Sequence, residues 1–108
     1  MKTLMLLVFL LLTATLAWAG EIYGTITDAG KPIPAGVKVE VAVGGNNYAG
    51  ETDKFGTYHV AATEKGKGTL KVYYKNQTPA ADVFSYDKAT RYDWTVEDAG
   101  GKLSLKRK

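Results

Sequence analysis

The sequence has 108 residues and a formal net charge of +3 at neutral pH, and it contains no cysteine. A chain of this length has room for one small domain, which excludes most enzymes with large cofactors. The lack of cysteine excludes disulfide bonds, thiolate metal sites and cysteine nucleophiles. The modest charge and the lack of a recognisable motif give no support for nucleic-acid binding.

The first 19 residues have the pattern of a secretory signal peptide. Lys2 supplies a positive start, Leu4–Leu12 is an uninterrupted apolar run, and Ala17–Ala19 places small residues where a signal peptidase reads them. The segment is short for a spanning helix, which needs about 20 apolar residues. We therefore expect cleavage after Ala19, no membrane span afterwards, and a secreted or periplasmic domain over residues 20–108. Export without cysteine suits a bacterial periplasm or cell exterior.

The first half of this domain alternates apolar and polar residues between turn signals. Ile22–Thr27 predicts a strand, and Asp28–Lys31 predicts a turn, because aspartate bonds its own backbone and glycine accepts a positive φ. A second strand follows over Val37–Val43, in which four valines share one face. Gly44–Asn47 then predicts a hairpin turn.

The second half continues the same pattern. We predict a loop over Glu64–Gly68 and strands over Tyr48–Thr52, Thr57–Val60, Thr69–Tyr74, Ala80–Ser85, Arg91–Val96 and, after Gly100-Gly101, around Leu103–Leu105. No segment has a sustained helical period. Seven or eight short strands with turns about every 8–12 residues are typical of an antiparallel sandwich or barrel. The apolar faces predict a core that includes Val39, Val41, Leu70, Val72 and Trp94.

Several short patterns occur in an order that points to a known family. They are Gly24-x-Ile26-x-Asp28 followed by Gly30–Pro34, Val37-x-Val39, Thr52-Asp53-x-x-Gly56-x-Tyr58, and Gly68-x-Leu70-x-Val72. This arrangement resembles the carboxypeptidase regulatory-like domain, over most of residues 21–75. The resemblance implies a single antiparallel, seven-stranded Greek-key β-sandwich of the transthyretin-like (prealbumin-like) type. It also implies a non-catalytic accessory or binding module, here standing alone as in small secreted bacterial members.

Three residues of the central pattern have structural explanations. Asp53 is expected to cap a turn, Gly56 to supply its left-handed residue, and Tyr58 to bury its ring at the start of the next strand. These residues form a structural turn motif and carry no chemistry.

The sequence offers little for catalysis or metal binding. His59 is the only histidine, and Ser85 and Ser104, the serines that could serve as its nucleophile, have no nucleophile-elbow context. One histidine without cysteine cannot form a zinc site, and no calcium-loop pattern is present. We therefore predict no enzyme, no cofactor and no metal.

Aromatic residues are the more informative feature. By strand parity Tyr23 and Tyr73 lie on polar faces, where they are candidate ligand-contact residues that could form a platform for sugar rings. Cross-strand pairing that stabilises a sheet face is the alternative. The basic end, Lys102 with Lys106–Lys108, suits anionic envelope polymers or is a solvated terminus.

The sequence thus predicts a non-catalytic, exported β-sandwich module. Its expected role is structural, or contact with a protein or cell-envelope polymer of unknown identity. The alternative is a carbohydrate-binding module of starch-binding-like fold.

Overall fold

The computed structural model describes residues 20–108 and has an all-β fold, with no helix in that part of the chain. The predicted signal peptide over residues 1–19 lies outside the described residues. Within residues 20–108 no helix is long and apolar enough to cross a membrane. The strands are β1 (Glu21–Asp28), β2 (Lys31–Pro32), β3 (Lys38–Val43), β4 (Asn46–Glu51), β5 (Thr57–Ala61), β6 (Gly66–Val72), β7 (Ala80–Ser85), β8 (Thr90–Arg91), β9 (Trp94–Ala99) and β10 (Lys102–Arg107).

The strands form two sheets. The four-stranded sheet has the order β4-β3-β6-β7, and every neighbour is antiparallel. The six-stranded sheet is built around β1, which pairs antiparallel with β2 and β5 and parallel with β8 and β9. β10 pairs with β9 and lies at the end of this sheet.

The expectation of seven antiparallel strands is wrong in two respects. The described residues form ten strands, and the six-stranded sheet is mixed. The parallel partner of β1 is split into β8 and β9 because the ladder is interrupted at Asp93. There the Asp93 carboxylate accepts a hydrogen bond from the Thr25 backbone N–H at 2.9 Å, the bond that a main-chain carbonyl would accept in a continuous ladder.

The core lies between the two sheets and contains residues from both. Val39, Val41, Leu70, Val72 and Trp94 are all buried, as the alternation predicts. Fully burying such side chains stabilises the fold by about 1.5–3 kcal/mol each. The apolar sandwich expected from the sequence is therefore confirmed at the level of two packed sheets with one core.

Within residues 20–108, four two-residue turns join paired residues, and both residues of each turn have a positive φ. This is the type I′ geometry, whose twist matches that of the flanking strands. The turns are Ala29-Gly30, Gly44-Gly45, Lys75-Asn76 and Gly100-Gly101. All four lie where the sequence predicts turns, at Asp28–Lys31, Gly44–Asn47, Lys75–Gln77 and Gly100-Gly101.

The predicted loop over Glu64–Gly68 is wrong in its second half, because β6 already begins at Gly66. Gly68 lies inside this strand, opposite Val43 and Val83. A Cβ at Gly68 would lie 2.6 Å from the Ala42 carbonyl oxygen. Glycine therefore allows a close backbone approach at this position and does not form a turn.

Candidate functional site

The outer surface of the four-stranded sheet carries Phe84, the most exposed aromatic side chain in a described strand. Along β7, Val83 and Ser85 point into the core, so Asp82 and Phe84 point outward. Phe84 lies opposite Lys67 of β6, which also points outward. Strand alternation therefore places an aromatic ring beside a cation on a solvent-facing sheet.

Phe84 and Tyr86 form an exposed aromatic pair. Their ring centroids are 4.6 Å apart with a tilt of 33°, and the residues are 42% and 51% exposed. Large aromatic side chains normally bury much of their surface, because their apolar area dominates core energetics. Two of them side by side in solvent mark a candidate contact site.

A depression of about 410 Å³ adjoins this pair. It is lined by Tyr86, Asp87, Lys88 and Thr90. The Asp87 carboxylate forms an ion pair with Lys65 at 2.6 Å. The site therefore combines an aromatic ring with a carboxylate, an ammonium group and a hydroxyl, a set of groups suited to an apolar surface that has a hydrogen-bonding rim.

The backbone beneath the aromatic pair is fixed by Tyr92. The Tyr92 hydroxyl accepts a hydrogen bond from the Phe84 N–H at 2.9 Å and donates one to the Phe84 carbonyl at 3.3 Å. Its buried ring stacks on Trp94 with a centroid distance of 5.8 Å. Because Tyr92 is anchored in the core, the position of Phe84 on the surface is set before any ligand binds.

A buried network continues from this point into the core. The Tyr58 hydroxyl donates to the Tyr92 carbonyl at 2.6 Å and accepts from Trp94 Nε1 at 3.1 Å. Burial raises the pKa of Tyr58 far above its ordinary value, because the phenolate would be desolvated. Tyr58 is thus a neutral structural group that joins β5 to the segment between β8 and β9, within the six-stranded sheet.

The structure places Tyr23 and Tyr73 on different sheets. Tyr23 of β1 stacks on His59 at 5.8 Å on the outer side of the six-stranded sheet. Tyr73 follows β6, and its hydroxyl donates to Glu40 at 3.0 Å, which raises the pKa of Tyr73. The Lys38 ammonium lies 5.0 Å from the Tyr73 ring. The two rings therefore do not form a shared platform, and ligand contact by either one stays a prediction.

The turn motif has the following geometry. Asp53 Oδ1 accepts hydrogen bonds from the backbone N–H groups of Phe55 and Thr57 at 2.9 and 3.0 Å. Gly56 has a φ of 73°, and Tyr58 is fully buried. The carboxylate and the glycine together close the turn that leads into β5.

The residues considered for catalysis, Ser85, His59 and Ser104, do not contact one another. Ser85 is buried, and its hydroxyl donates to the Ala62 carbonyl at 3.1 Å. His59 Nδ1 lies 3.2 Å from a carboxylate oxygen of Glu21 on the exposed face of β1 and β5. Ser104 lies on β10. Among residues 20–108 no three potential metal ligands come together.

Sequence reasoning did not select Phe84 and Tyr86 as site residues. The relevant signal is the Val83-Phe84 dipeptide in a strand, since adjacent residues must face opposite sides. One of these apolar residues therefore has to be exposed. Which one is exposed depends on the partner strand, where Gly68 and Lys67 lie opposite them.

Comparison with known proteins supports the fold and leaves the family open. No family model matches the chain, and no curated protein matches it significantly. Among solved structures, the Bacillus anthracis TIE protein is similar with a TM-score of 0.58 and 11% identity over 82% of this chain. A candidate carbohydrate-binding protein of Bacteroides uniformis is similar with a TM-score of 0.50 and 16% identity over 81% of this chain. The chain spans 17% and 52% of these two proteins' lengths. At such identities the likeness shows a small all-β domain.

Proposed function

We propose that this chain is an exported, non-catalytic binding module whose contact surface is the Phe84–Tyr86 aromatic pair. The leader pattern over residues 1–19 supports export. The order of the turn and strand patterns supports a transthyretin-like sandwich related to the carboxypeptidase regulatory-like domain. The partner is a protein or polymer of the cell envelope.

The observation that carries this proposal is the exposed aromatic pair held on a fixed backbone. Burying two such rings against a partner removes a large apolar area from water, which is the main favourable term in association. The Phe84 backbone is already bonded to the Tyr92 hydroxyl, so binding orders few additional groups at this ring. Lys67 and Lys88 near the pair can contact anionic groups of the partner, while Asp87 is already paired with Lys65 and Asp82 leaves the surface mixed in charge.

The binding test uses protein recovered after export and incubated with cell-wall polysaccharide and, separately, with solubilised envelope proteins. We expect the double variant Phe84→Ala, Tyr86→Ala to lose retention on one of these fractions. Phe55→Ala is the matched control, because Phe55 is 64% exposed in the turn after Asp53 and lies outside the pair. Equal retention of the pair variant and the parent would reject this contact surface.

Export has its own measurement. Intact-mass analysis of the exported protein should give a chain beginning at Gly20. A chain that retains Met1 and stays with the membrane would contradict the signal-peptide assignment.

Carbohydrate binding is the second candidate function. A sugar ring has C–H groups on its faces and hydroxyls around its rim, and the pair with Asp87, Lys88 and Thr90 offers partners for both. A structural neighbour is a candidate carbohydrate-binding protein, which adds support from the fold. In a glycan array, loss of signal in the pair variant but not in Tyr73→Ala would favour the new site. Loss only in Tyr73→Ala would favour the site expected from the sequence.

A further inference from the structure

The free edge of β10 is a second surface with binding chemistry, on the other sheet from the aromatic pair. In the part of the chain that the structure describes, β10 pairs with β9 along one edge only. The Lys108 N–H donates to the Asp93 carbonyl, so even-numbered residues of this strand bond toward β9. The backbone groups of Leu103, Leu105 and Arg107 therefore point away from β9, because antiparallel ladders alternate.

At the start of this edge, the backbone already bonds to a side-chain amide of the same chain, that of Gln77. The Leu103 N–H donates to Gln77 Oε1 at 2.9 Å, and Gln77 Nε2 donates to the Gly101 carbonyl at 2.6 Å. A glutamine carboxamide has the same donor and acceptor as a peptide group. The edge thus makes with a side chain the hydrogen bonds that it would make with an added strand, and Leu105 and Arg107 continue the row.

Space for a partner's side chains lies beside this row. A depression of about 480 Å³ separates Gln77–Ala80 from Lys102–Ser104, between the edges of the two sheets. Leu103 on its floor is buried and belongs to the core. The depression adjoins the Leu103 end of the row, so a segment bonded to Leu105 and Arg107 would direct the side chain nearest Leu103 toward it.

The basic side chains of β10 determine which kind of extended segment would bind along its edge. β10 and the residue after it contain Lys102, Lys106, Arg107 and Lys108 and no acidic residue. Glu97 and Asp98 on β9 offset part of this charge. A second copy of β10 would bring like charges together, and edge lysines discourage such pairing. An acidic segment is attracted by the same residues.

We propose that the β10 edge binds an extended, acidic peptide segment of another protein by strand addition. The Gln77 carboxamide marks the start of the binding row, and backbone bonds to Leu105 and Arg107 extend it. The basic side chains supply the preference for acidic sequences. This interaction goes beyond the proposed function, because it uses a different sheet and needs neither Phe84 nor Tyr86.

The test uses the exported protein and two capped, fluorescein-labelled octapeptides, one alternating valine with glutamate and one alternating valine with lysine. We expect the glutamate peptide to bind at least about tenfold more tightly at low salt, with the difference shrinking as salt rises. Hydrogen exchange monitored by NMR should slow at the Leu105 and Arg107 amides when this peptide is added. The Ser104 amide, already bonded to β9, should change little.

Leu105→Pro removes the outward N–H while keeping the bonds to β9, as proline is tolerated on the free edge of a strand. It should weaken binding about fivefold to tenfold, the effect of losing one backbone hydrogen bond. Leu105→Ala is the matched control, because it also loses apolar packing but retains the N–H. Unfolding curves of both variants establish that they are folded.

A charge-reversal variant keeps the test independent of Leu105. Lys102→Glu with Lys106→Glu should reverse the preference between the two peptides, whereas Lys54→Glu with Lys71→Glu, an equal charge change elsewhere, should not. Equal binding of both peptides, unchanged exchange at Leu105 and Arg107, or full binding by Leu105→Pro would each overturn the proposal.

Discussion

Gly56 allows a conformational cost and a steric cost to be separated by experiment. Its φ of 73° lies in the left-handed region, and an added Cβ would be 2.6 Å from the Ile26 carbonyl oxygen. That carbonyl accepts from the Ile33 N–H at 3.1 Å, and the Ile26 N–H donates to the Gly56 carbonyl at 2.9 Å. Gly56→Ala therefore strains the backbone and pushes apart groups that join the turn to β1.

The expected size follows from these contacts. A left-handed conformation costs a residue with a Cβ about 1–2 kcal/mol. Moving the turn away from Ile26 weakens one or two backbone hydrogen bonds, for about 1–2 kcal/mol more. Gly56→Ala should therefore lower the free energy of unfolding by about 2–4 kcal/mol, a large share of the roughly 5–15 kcal/mol of a small domain.

Gly30→Ala is the matched control. Gly30 has a φ of 80°, but nothing lies within 4 Å of its added Cβ, so only the conformational cost of about 1–2 kcal/mol applies. Urea unfolding can be followed by fluorescence of Trp94, the single tryptophan of residues 20–108. Equal destabilisation by both variants would refute the role of the Ile26 contact. A Gly56→Ala protein as stable as the parent would refute the turn itself.

Three further predictions use the same unfolding assay. Tyr58→Phe leaves two buried hydrogen-bonding groups without their partner and should cost about 1–3 kcal/mol. Partial burial alone would raise the pKa of Asp93, but hydrogen bonds from Thr25 and Arg91 outweigh it and hold the pKa below 3.8. The stability that the ionised Asp93 contributes is present above about pH 4 and is lost as pH falls through the lowered pKa. Asp93→Asn should therefore flatten this acidic part of the plot of unfolding free energy against pH. Ala29 has a φ of 54° in a type I′ turn, so Ala29→Asn should stabilise the fold by about 0.5–1 kcal/mol, and a loss of stability would contradict this geometry.

Strand faces could be predicted from the sequence, because each depends only on neighbouring residues. The valines of β3 are buried, as their alternation indicates. Parity also places Tyr23 and Tyr73 on outer faces. It does not say which sheet a strand joins, so it could not show that these two rings lie on different sheets.

Features that depend on distant residues were not predictable. The sequence alone suggests that Gly68 is a loop residue. Its role inside a strand follows from the close approach of the Ala42 carbonyl, which leaves no room for a Cβ at this position. Asp93 alternates with Tyr92 and Trp94 as an ordinary polar strand residue would. Its carboxylate nevertheless completes the ladder of β1, although Thr25 lies 68 positions earlier in the chain.

The central place of β1 has a consequence for the order of folding. Its parallel partners in β8 and β9 lie 68 positions later in the chain, so the six-stranded sheet cannot close until these distant segments meet. Contacts of such long sequence separation slow folding, because a large loop must be ordered before they form. We therefore expect the six-stranded sheet to close after the four-stranded sheet, in which the pairing of Val39 with Val72 spans only 33 positions.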